Sequence, residues 1–314
     1  MNVLVTGGAG FIGSHVVDAL VQRGDTVAVV DNLSSGKKEY VNAQAEFFKV
    51  DIVDKAFLVD VFNRFRPDVV FHLAAQKSVR DSVTDPVNDL RINIEGTVNL
   101  LECAKSAGVQ KMIYSSTGGA VYGDVSVLPT PEDTPCAPVS TYGTSKLAGE
   151  YYARCYAALG GPLPVILRYA NVYGPRQDPY GEAGVVAIFV KKMLENEQPV
   201  INGDGNNTRD FVYVSDVVSA NLCAMDSEKE GMYNVGTEIE TSVNDIFREV
   251  KKATRSDVQE EYGPEKPGEQ RRSAVLVACA RKELGWEPQV ALDEGIRKTV
   301  EWFQKNTISE KPSL

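Results

Sequence analysis

The first half of the chain alternates short apolar runs with longer stretches of mixed polarity. Each apolar run is nearly continuous, as in Val-Ala-Val-Val over residues 27–30 and Val-Val-Phe-His-Leu over residues 69–73. Runs of this kind are typical of parallel strands that are covered on both faces. The pattern predicts strands at Asn2–Thr6, Thr26–Asp31, Glu46–Val50, Asp68–Leu73, Lys111–Ser116 and Val165–Tyr169.

Helical patterns fill the gaps between these strands and end at clear stop signals. The predicted helices are Phe11–Arg23, Lys55–Phe65 and Pro86–Ala107; the first and third precede a glycine, and the second lies just before a proline. Glycine closes a helix with left-handed backbone, and proline cannot continue one. The repeated alternation predicts an α/β fold, a doubly wound parallel sheet with right-handed crossovers.

The texture of the sequence changes after about residue 171. Turn clusters become frequent, at 174–175, 202–206, 263–264 and 266–268, and the apolar runs become shorter. A length of 314 residues accommodates about two domains of ~150 residues. We therefore predict a nucleotide-binding domain over residues 1–170 and a smaller α/β substrate-binding region over residues 171–314.

Composition excludes several classes of partner. The chain has 33 basic and 43 acidic side chains and a net charge of −10, which would repel a nucleic acid backbone. No apolar run approaches the ~18 residues of a membrane span, and the first residues lack a secretory signal pattern. Five cysteines without a Cys-x-x-Cys pair indicate reduced thiols in a cytoplasmic protein. The two histidines have no neighbours at ligand spacing, so no metal site is expected.

A glycine loop directly follows the first predicted strand. Gly7, Gly10 and Gly13 allow a tight turn, a close approach to a pyrophosphate and tight packing of the next helix. The N-terminus of that helix then faces the phosphate charge. Asp31 ends the second strand, where it can accept hydrogen bonds from both hydroxyls of an adenosine ribose and would repel a 2′-phosphate. This context favours NAD over NADP as the cofactor.

Tyr142 and Lys146 lie four residues apart at the start of another predicted helix. Residues at this spacing share one face of a helix, so the phenol and the ammonium point the same way. A nearby ammonium, or the positive ring of an oxidised nicotinamide, favours the phenolate form. Such a pair suits removal of a proton from an alcohol while its hydride passes to the cofactor. Without the glycine loop, a solvated helix face would be the better interpretation.

Together these motifs resemble the extended short-chain dehydrogenases/reductases, and within them the nucleotide-sugar 4-epimerases. The resemblance covers nearly the whole chain. It rests on Thr6-Gly-Gly-Ala-Gly-Phe-Ile-Gly13, Asp31-Asn-Leu-Ser-Ser-Gly36, His72-Leu-Ala-Ala75, Asn93-Ile-Glu-Gly-Thr97, Ser115-Ser-Thr-Gly-Gly-Ala-Val-Tyr-Gly123, Tyr142-x-x-x-Lys146, Leu167-Arg-Tyr-Ala-Asn-Val-Tyr-Gly174, Thr208-Arg-Asp-Phe-Val-Tyr-Val214 and Glu283-Leu-Gly-Trp286.

The resemblance implies a cofactor site along the carboxyl edge of the sheet. Its residues are those of the glycine loop, the segment after the second strand, and two groups further along the chain. In full they are Gly7, Gly10, Phe11, Ile12, Gly13, Asp31, Asn32, Ser34, Ser35, Gly36, Asp51, Ile52, Leu73, Ala74, Ala75, Asn93, Tyr142 and Lys146.

The resemblance also implies roles in catalysis and in substrate binding. Tyr142 would be the base, Lys146 would bond the nicotinamide ribose and lower the tyrosine pKa, and Thr117 would orient the sugar 4-hydroxyl. An extra glycine after Thr117 leaves Ser116 as an alternative. The implied substrate contacts are Asn171 and Arg209 at the diphosphate, Lys77 near the sugar, a second cation from Lys266, Arg271 or Arg272, and Ser273 in the sugar pocket.

The implied reaction is a redox-neutral inversion at C4 of a UDP-hexose through a transient 4-keto sugar, with UDP-glucose and UDP-galactose as the expected pair. The small Ser273 leaves the UDP-GlcNAc/UDP-GalNAc pair open. A UDP-glucuronate 4-epimerase or decarboxylase, a 4,6-dehydratase and a non-catalytic NAD-sensing regulator are the alternatives. The glycines after Thr117 disfavour the dehydratase, and the intact Tyr142–Lys146 pair disfavours the regulator. We expect a homodimer that pairs through Pro86–Ala107 and Tyr142–Leu159.

Overall fold

The computed structural model describes residues 1–180, 184–265 and 270–307. Its strands are β1 Asn2–Thr6, β2 Thr26–Val30, β3 Glu46–Phe48, β4 Val69–His72, β5 Lys111–Thr117, β6 Leu163–Tyr169, β7 Asn171–Tyr173, β8 Ile201–Asn202, β9 Thr208–Arg209, β10 Phe211–Tyr213, β11 Gly231–Val235, β12 Thr241–Ser242 and β13 Tyr262–Gly263. Its α-helices are α1 Phe11–Arg23, α2 Lys55–Phe65, α3 Val79–Thr84, α4 Pro86–Leu90, α5 Gly96–Ala107, α6 Thr141–Ala158, α7 Val185–Leu194, α8 Val214–Asp226, α9 Val243–Thr254 and α10 Leu292–Thr307.

Seven of these strands form one parallel sheet in the order β11-β6-β5-β4-β1-β2-β3. Helices cover both faces, because the strands alternate their apolar side chains between two cores. In β1, for example, Val3 and Val5 pack with residues of α1 and α8, whereas Leu4 packs with residues of α2 and α5. The predicted doubly wound α/β fold is confirmed.

The predicted ends of the first helices are also found. A glycine in left-handed backbone, Gly24 with φ 89° and Gly108 with φ 70°, closes α1 and α5 respectively. The predicted helix over Pro86–Ala107 is one continuous run, but a π-helical segment over Arg91–Glu95 interrupts its α-helical pattern. Such segments commonly occur at functional sites, and this one contains Asn93.

The region after residue 170 adds one strand to the main sheet and builds a separate core beside it. Strand β11 pairs with β6 at the sheet edge, a position that its sequence does not predict. Helices α7, α9 and α10 enclose the third core, in which Phe189 and Phe247 meet edge to face. Short strand pairs, β7 with β10 and β9 with β12, connect this core to the carboxyl edge of the sheet.

Among the described residues, no helix combines the length and the apolar character that crossing a bilayer requires.

Candidate active site

Helix α1 begins directly after the glycine loop, and its N-terminus has no cap. The N-cap residue, Gly10, has no side chain that could accept from the first N–H groups of the helix, and the first turn holds no acidic residue. The first N–H groups of a helix have no partner within it, and the helix dipole adds positive charge there. Helix α6, in contrast, is capped by Ser140, whose Oγ accepts from the Gly143 N–H at 3.0 Å. The open end of α1, with Phe11 and Ile12 in its first turn, fits a phosphate group.

Close contacts within the glycine loop and with its neighbours leave no room for a side chain at Gly7 or Gly13. A Cβ on Gly13 would lie 2.2 Å from the Gly7 carbonyl oxygen. Gly7 itself has φ +72°, and a Cβ there would lie 2.6 Å from Ala74 N. The loop after β1 is therefore packed directly against the loop after β4, where the predicted contacts Leu73, Ala74 and Ala75 lie.

Asp31 follows β2 and braces this edge of the sheet. Its Oδ2 accepts from the Ala9 N–H at 3.0 Å, and its Oδ1 accepts from the Leu33 N–H at 2.8 Å. Each carboxylate oxygen has a second lone pair. Asp31 can therefore hold the loop in place and still accept a hydrogen bond from a ribose hydroxyl.

The other residues predicted around the adenosine lie along the same edge. Asn32 Nδ2 donates to Asp51 Oδ2 at 2.9 Å, so residues after β2 and after β3 meet there. Ile52 is buried against Gly96 of α5. The remaining members of this group are Ser34 and Ser35, which are exposed, and Gly36, which packs against Ala9.

His72 of β4 links β1 to α5 and has a structural role rather than a chemical one. Its Nδ1 lies 2.8 Å from Thr6 Oγ1, and its Nε2 lies 2.9 Å from Thr97 Oγ1. Thr97 donates its own proton to the Asn93 carbonyl at 2.6 Å, so it accepts from Nε2–H. Burial, and then the charge of Lys146, lowers the pKa of His72 to about 3. The ring is therefore a neutral structural bridge.

Tyr142 lies in the first turn of α6, and its phenol lies near the hydroxyl of Thr117 at the end of β5. Its backbone N–H donates to Ser82 Oγ at 3.1 Å, which fixes the start of the helix. Burial, and then the charge of Asp89, raises the pKa of Tyr142 to about 12, whereas the nearby Thr117 hydroxyl lowers it. The arrangement supplies a paired phenol and alcohol that can exchange a proton with a bound hydroxyl.

The expected lowering of the Tyr142 pKa by Lys146 is not found. Lys146 is 3% exposed, and its Nζ lies 4.4 Å from the centre of the Tyr114 ring. Burial lowers the pKa of Lys146 to about 8, against the opposing charges of Glu150 and Asp89. Desolvation thus outweighs the attraction that the spacing predicts. Within the described part of the chain, Lys146 Nζ has no hydrogen-bond partner, and it is available to a ribose hydroxyl.

Ser116 and Thr117 point to different surroundings, although they are adjacent. Ser116 donates to Glu150 Oε1, and that carboxylate also accepts from Arg168 Nη2 at 2.6 Å. All three of these side chains are buried. Ser116 therefore belongs to a structural cluster, and the geometry favours Thr117 as the hydroxyl that faces Tyr142.

Asn93 bonds to the loop after β4, residues 73–78, where the predicted cofactor contacts Leu73, Ala74 and Ala75 lie (the cofactor loop). Its Oδ1 accepts from the Gln76 N–H at 2.9 Å, and its Nδ2 donates to the Gln76 carbonyl at 3.0 Å. The same amide nitrogen lies 3.0 Å from Asp89 Oδ1 and 3.1 Å from Ser145 Oγ. These bonds occupy the Asn93 side chain, which holds the backbone of Gln76 in the loop after β4.

Short strands bring the predicted diphosphate contacts together. Asn171 begins β7 and pairs with Phe211 of β10, two residues after Arg209. A Cβ built on Gly119 would lie 3.6 Å from Asn171 Oδ1 and 3.9 Å from Thr117 Oγ1. Asn171 therefore flanks the same space as the hydroxyl of Thr117, and Gly119 keeps that space open.

Two of the three candidates for the second cation at the diphosphate, Arg271 and Arg272, already form ion pairs. Arg271 binds Asp204 through two hydrogen bonds of 3.0 and 2.7 Å, and Arg272 binds Glu240. Lys266 lies outside the described residues. The backbones on either side of Arg272 pair with Thr208, which places the buried Ser273 beside β9. Lys77 is exposed on the loop after β4.

Two clusters of hydrogen-bonded polar side chains at this site contain residues that were not predicted from the sequence, namely Asp89, Gln76 and Glu150. Asp89 and Gln76 are joined to Asn93, and Glu150 is joined to Arg168. The available signal was weak: Asp89 lies four residues before Asn93, and Glu150 lies four residues after Lys146, so each shares a helix face with a predicted residue.

A glycine loop at the carboxyl edge of a parallel sheet is where Rossmann-type folds bind dinucleotides, and this chain is built in that way. Residues 3–236 match the model of the NAD dependent epimerase/dehydratase family. The chain belongs to that family, and NAD is its cofactor. The uncapped end of α1 and Lys146 Nζ, which has no hydrogen-bond partner among the residues that the structure describes, both fit this dinucleotide.

Similar proteins include several named for one activity. A UDP-glucose 4-epimerase of Mycolicibacterium smegmatis is 47% identical over 98% of this chain and 100% of its own length. The structure of the Thermotoga maritima UDP-glucose 4-epimerase with UDP-glucose is 51% identical, with a TM-score of 0.96 over 98% of this chain and 100% of that one. The Thermus thermophilus UDP-glucose 4-epimerase in complex with NAD is 45% identical, with a TM-score of 0.92 over 97% and 99%.

Proposed function

We propose that this protein is an NAD-dependent UDP-glucose 4-epimerase, which interconverts UDP-glucose and UDP-galactose. The observation that carries the proposal is the juxtaposition of the Tyr142 phenol and the Thr117 hydroxyl, beside a buried Lys146 that has no hydrogen-bond partner among the described residues. The similar proteins with this printed name, at 45–51% identity, support it.

The residues of the chain divide the work between proton transfer and positioning. Tyr142 takes the proton of the sugar 4-hydroxyl, directly or through Thr117, and returns it after the inversion. Bound NAD supplies the hydride acceptor and a positive charge that favours the phenolate. Thr117 stabilises the phenolate by donating to it, and Lys146 bonds the ribose. Asn171 and Arg209 hold the diphosphate while the sugar turns its other face.

Purified protein supplied separately with UDP-glucose, UDP-GlcNAc and UDP-glucuronate tests this proposal. We expect UDP-galactose from UDP-glucose, resolved by chromatography, with no net reduction of NAD. Tyr142→Phe should lower kcat by about 10²–10⁴-fold, because it removes the acid–base group. Retained NAD should not change.

Tyr152→Phe is the matched control, because it removes a half-exposed hydroxyl from the same helix. It should leave turnover unchanged. The proposal is wrong if the wild-type protein retains NAD and converts none of the three sugars, or if Tyr142→Phe keeps near-normal turnover.

The UDP-GlcNAc/UDP-GalNAc pair is a second candidate. Ser273 is small and buried beside β9, and a short side chain there leaves room for an N-acetyl group. A UDP-N-acetylglucosamine 4-epimerase from Methanobrevibacter ruminantium is 36% identical, with a TM-score of 0.92 over 97% of this chain and 98% of that one. Conversion of UDP-GlcNAc at a rate similar to that of UDP-glucose would support a dual substrate range.

The protein acts as a homodimer in this proposal. Large apolar side chains are exposed on three neighbouring helices, at Val83 of α3, Val87 and Leu90 of α4, and Tyr151 of α6. Exposed apolar side chains on adjacent helices are typical of a protein–protein interface. Sedimentation at micromolar concentration should give twice the 34.2 kDa chain mass; a monomer alone would contradict the proposal.

A cytoplasmic location completes the proposal. All five cysteines are free thiols, and burial raises the pKa of Cys103, Cys136, Cys223 and Cys279. Thiols with raised pKa values react slowly with disulfides. The chain therefore depends on no disulfide, as is usual in a reducing compartment.

A further inference from the structure

A buried carboxylate, Asp89 of α4, lies behind the active site. It is 1% exposed, and its Oδ1 accepts from Gln76 Nε2 at 3.1 Å and from Asn93 Nδ2 at 3.0 Å. Burying a charge is costly unless it is hydrogen-bonded or paired. Within the described residues, Asp89 forms no ion pair with a cation closer than 4.0 Å, although it is surrounded by polar groups.

The bonds of Asp89 connect it to both sides of the active site. Gln76 lies on the loop after β4, beside the predicted cofactor contacts. Asn93 bonds to that loop and also lies 3.1 Å from Ser145 Oγ, on α6. Ser145 immediately precedes Lys146, and the Ser145 hydroxyl donates to the Tyr142 carbonyl at 3.0 Å. One buried acid thus ties the cofactor loop to the helix that carries Tyr142 and Lys146.

Asp89 also carries a negative charge that influences Lys146 and that forms no ion pair among the described residues. The charges of two carboxylates, Glu150 of α6 and Asp89 of α4, raise the pKa of this ammonium against the effect of burial. Glu150 already forms a buried ion pair with Arg168, through hydrogen bonds of 2.9 and 2.6 Å. Among the described residues, His72 and Tyr114 also lie near Lys146 and Tyr142, and burial keeps both of them neutral.

We propose that Asp89 is a positioning residue of the active site, which keeps the buried Lys146 ammonium charged and holds the cofactor loop against α6. This inference rests on the proposed function, because it assigns Asp89 a part in the same proton transfer. Asp89 acts through Lys146 and Tyr142, and through the loop after β4.

The effect of the Asp89 charge on the pKa values of Lys146 and Tyr142 gives the inference a direction that can be measured. Asp89 raises the pKa of Lys146, which burial lowers to about 8, and it adds to the raised pKa of Tyr142. Removal of the Asp89 charge therefore lowers the pKa of both groups. The catalyst needs an ionised phenol and a charged ammonium, so both limbs of its pH–rate profile should move to lower pH.

Asp89→Asn tests this directly, because asparagine keeps the shape and an oxygen that can accept from Gln76 and Asn93. We expect the profile of kcat against pH to move by about 1 unit toward acid, with melting temperature and retained NAD close to wild type. Glu95→Gln is the matched control: it removes an exposed negative charge from the same continuous helical run, and its profile should superimpose on that of the wild type.

A second measurement needs no turnover. Purified protein with isotope-labelled lysine is titrated by NMR, with and without added NAD, and Lys146→Ala identifies the signal of Lys146. In the cofactor-free protein the Lys146 midpoint should lie near 8, fall by about 1 unit in Asp89→Asn, and stay in place in Glu95→Gln.

These outcomes separate the two proposals. An active wild type with unshifted Asp89→Asn titration and profile overturns the role of Asp89 and leaves the epimerase intact. A wild type that converts no UDP-sugar overturns the function, while the NMR midpoint still tests the interaction with Lys146. Loss of activity in Asp89→Asn with no shift in either measurement would show a purely structural residue and would also overturn the inference.

Discussion

The cofactor side and the substrate side of this active site are prepared in opposite ways. On the cofactor side, the donors are left open: α1 has no cap, and Lys146 Nζ has no hydrogen-bond partner in the described part of the chain. On the predicted substrate side, two candidate cations are already paired, since Arg271 binds Asp204 and Arg272 binds Glu240. The first side is preformed for a ligand, whereas either of these arginines would have to exchange partners to bind one.

The two arrangements differ in what holds them. The open N–H donors of α1 follow a loop that close glycine contacts hold in place, and Lys146 Nζ belongs to a buried side chain of α6. The arginines are more than half exposed, and exposed ion pairs are weak because solvent screens their charges. A fixed site suits a cofactor that stays bound between turnovers, and weak pairs suit a substrate that must leave.

The largest expected effect comes from adding a side chain to the glycine loop on the cofactor side. Gly13→Ala places a Cβ within 2.2 Å of the Gly7 carbonyl oxygen, so the loop must move. We expect a loss of about 1–3 kcal/mol in the free energy of unfolding and activity about 100-fold lower. Bound NAD per chain and the melting temperature measure the two effects.

Gly10→Ala separates cofactor binding from stability in the same loop. Its Cβ would meet only the Gly7 carbonyl oxygen, at 3.2 Å, and its backbone is extended rather than left-handed. Melting should stay near wild type while NAD retention falls. Normal NAD retention in both variants would show that the loop does not hold the pyrophosphate.

A smaller effect should follow from releasing the paired cation. Arg271 holds the pKa of the Asp204 carboxyl well below its usual range, so the pair persists at any working pH. If Arg271 must leave Asp204 to bind the diphosphate, Asp204→Asn should lower the KM for the UDP-sugar by about two- to fivefold, with kcat unchanged.

Glu240→Gln is the matched comparison, because it releases Arg272 in the same way. The variant whose KM falls identifies the arginine that contacts the diphosphate. An unchanged KM in both would remove Arg271 and Arg272 from the substrate site and leave Lys266 as the candidate.

Much of the fold could be predicted because its signals are local. Continuous apolar runs marked the inner strands, and glycines at 24 and 108 marked the ends of α1 and α5. The place of β11 could not be predicted, because it depends on pairing with β6 more than sixty residues earlier. Nor does the sequence mark the π-helical turn at Arg91–Glu95, which has the same composition as the helix around it. The division at residue 170 remains a prediction.

The site could be predicted as a set of residues but not as a set of contacts. Helical spacing placed Tyr142 and Lys146 on one face, yet spacing carries no information about burial, which raised the tyrosine pKa instead of lowering it. The choice between Ser116 and Thr117 depended on Glu150 and Arg168, which approach from other elements. The assigned roles of the site residues remain predictions that the variants above test.

The outermost position of β11 has a consequence for any shortened form of this protein. A chain that stopped near residue 230 would still contain the glycine loop, Tyr142 and Lys146. It would also leave the backbone N–H and C=O groups of β6, which β11 covers over Val165–Tyr169, as a bare row at the rim of the sheet. Such rims recruit strands from other molecules. We expect such a fragment to aggregate rather than to persist as a free cofactor-binding half.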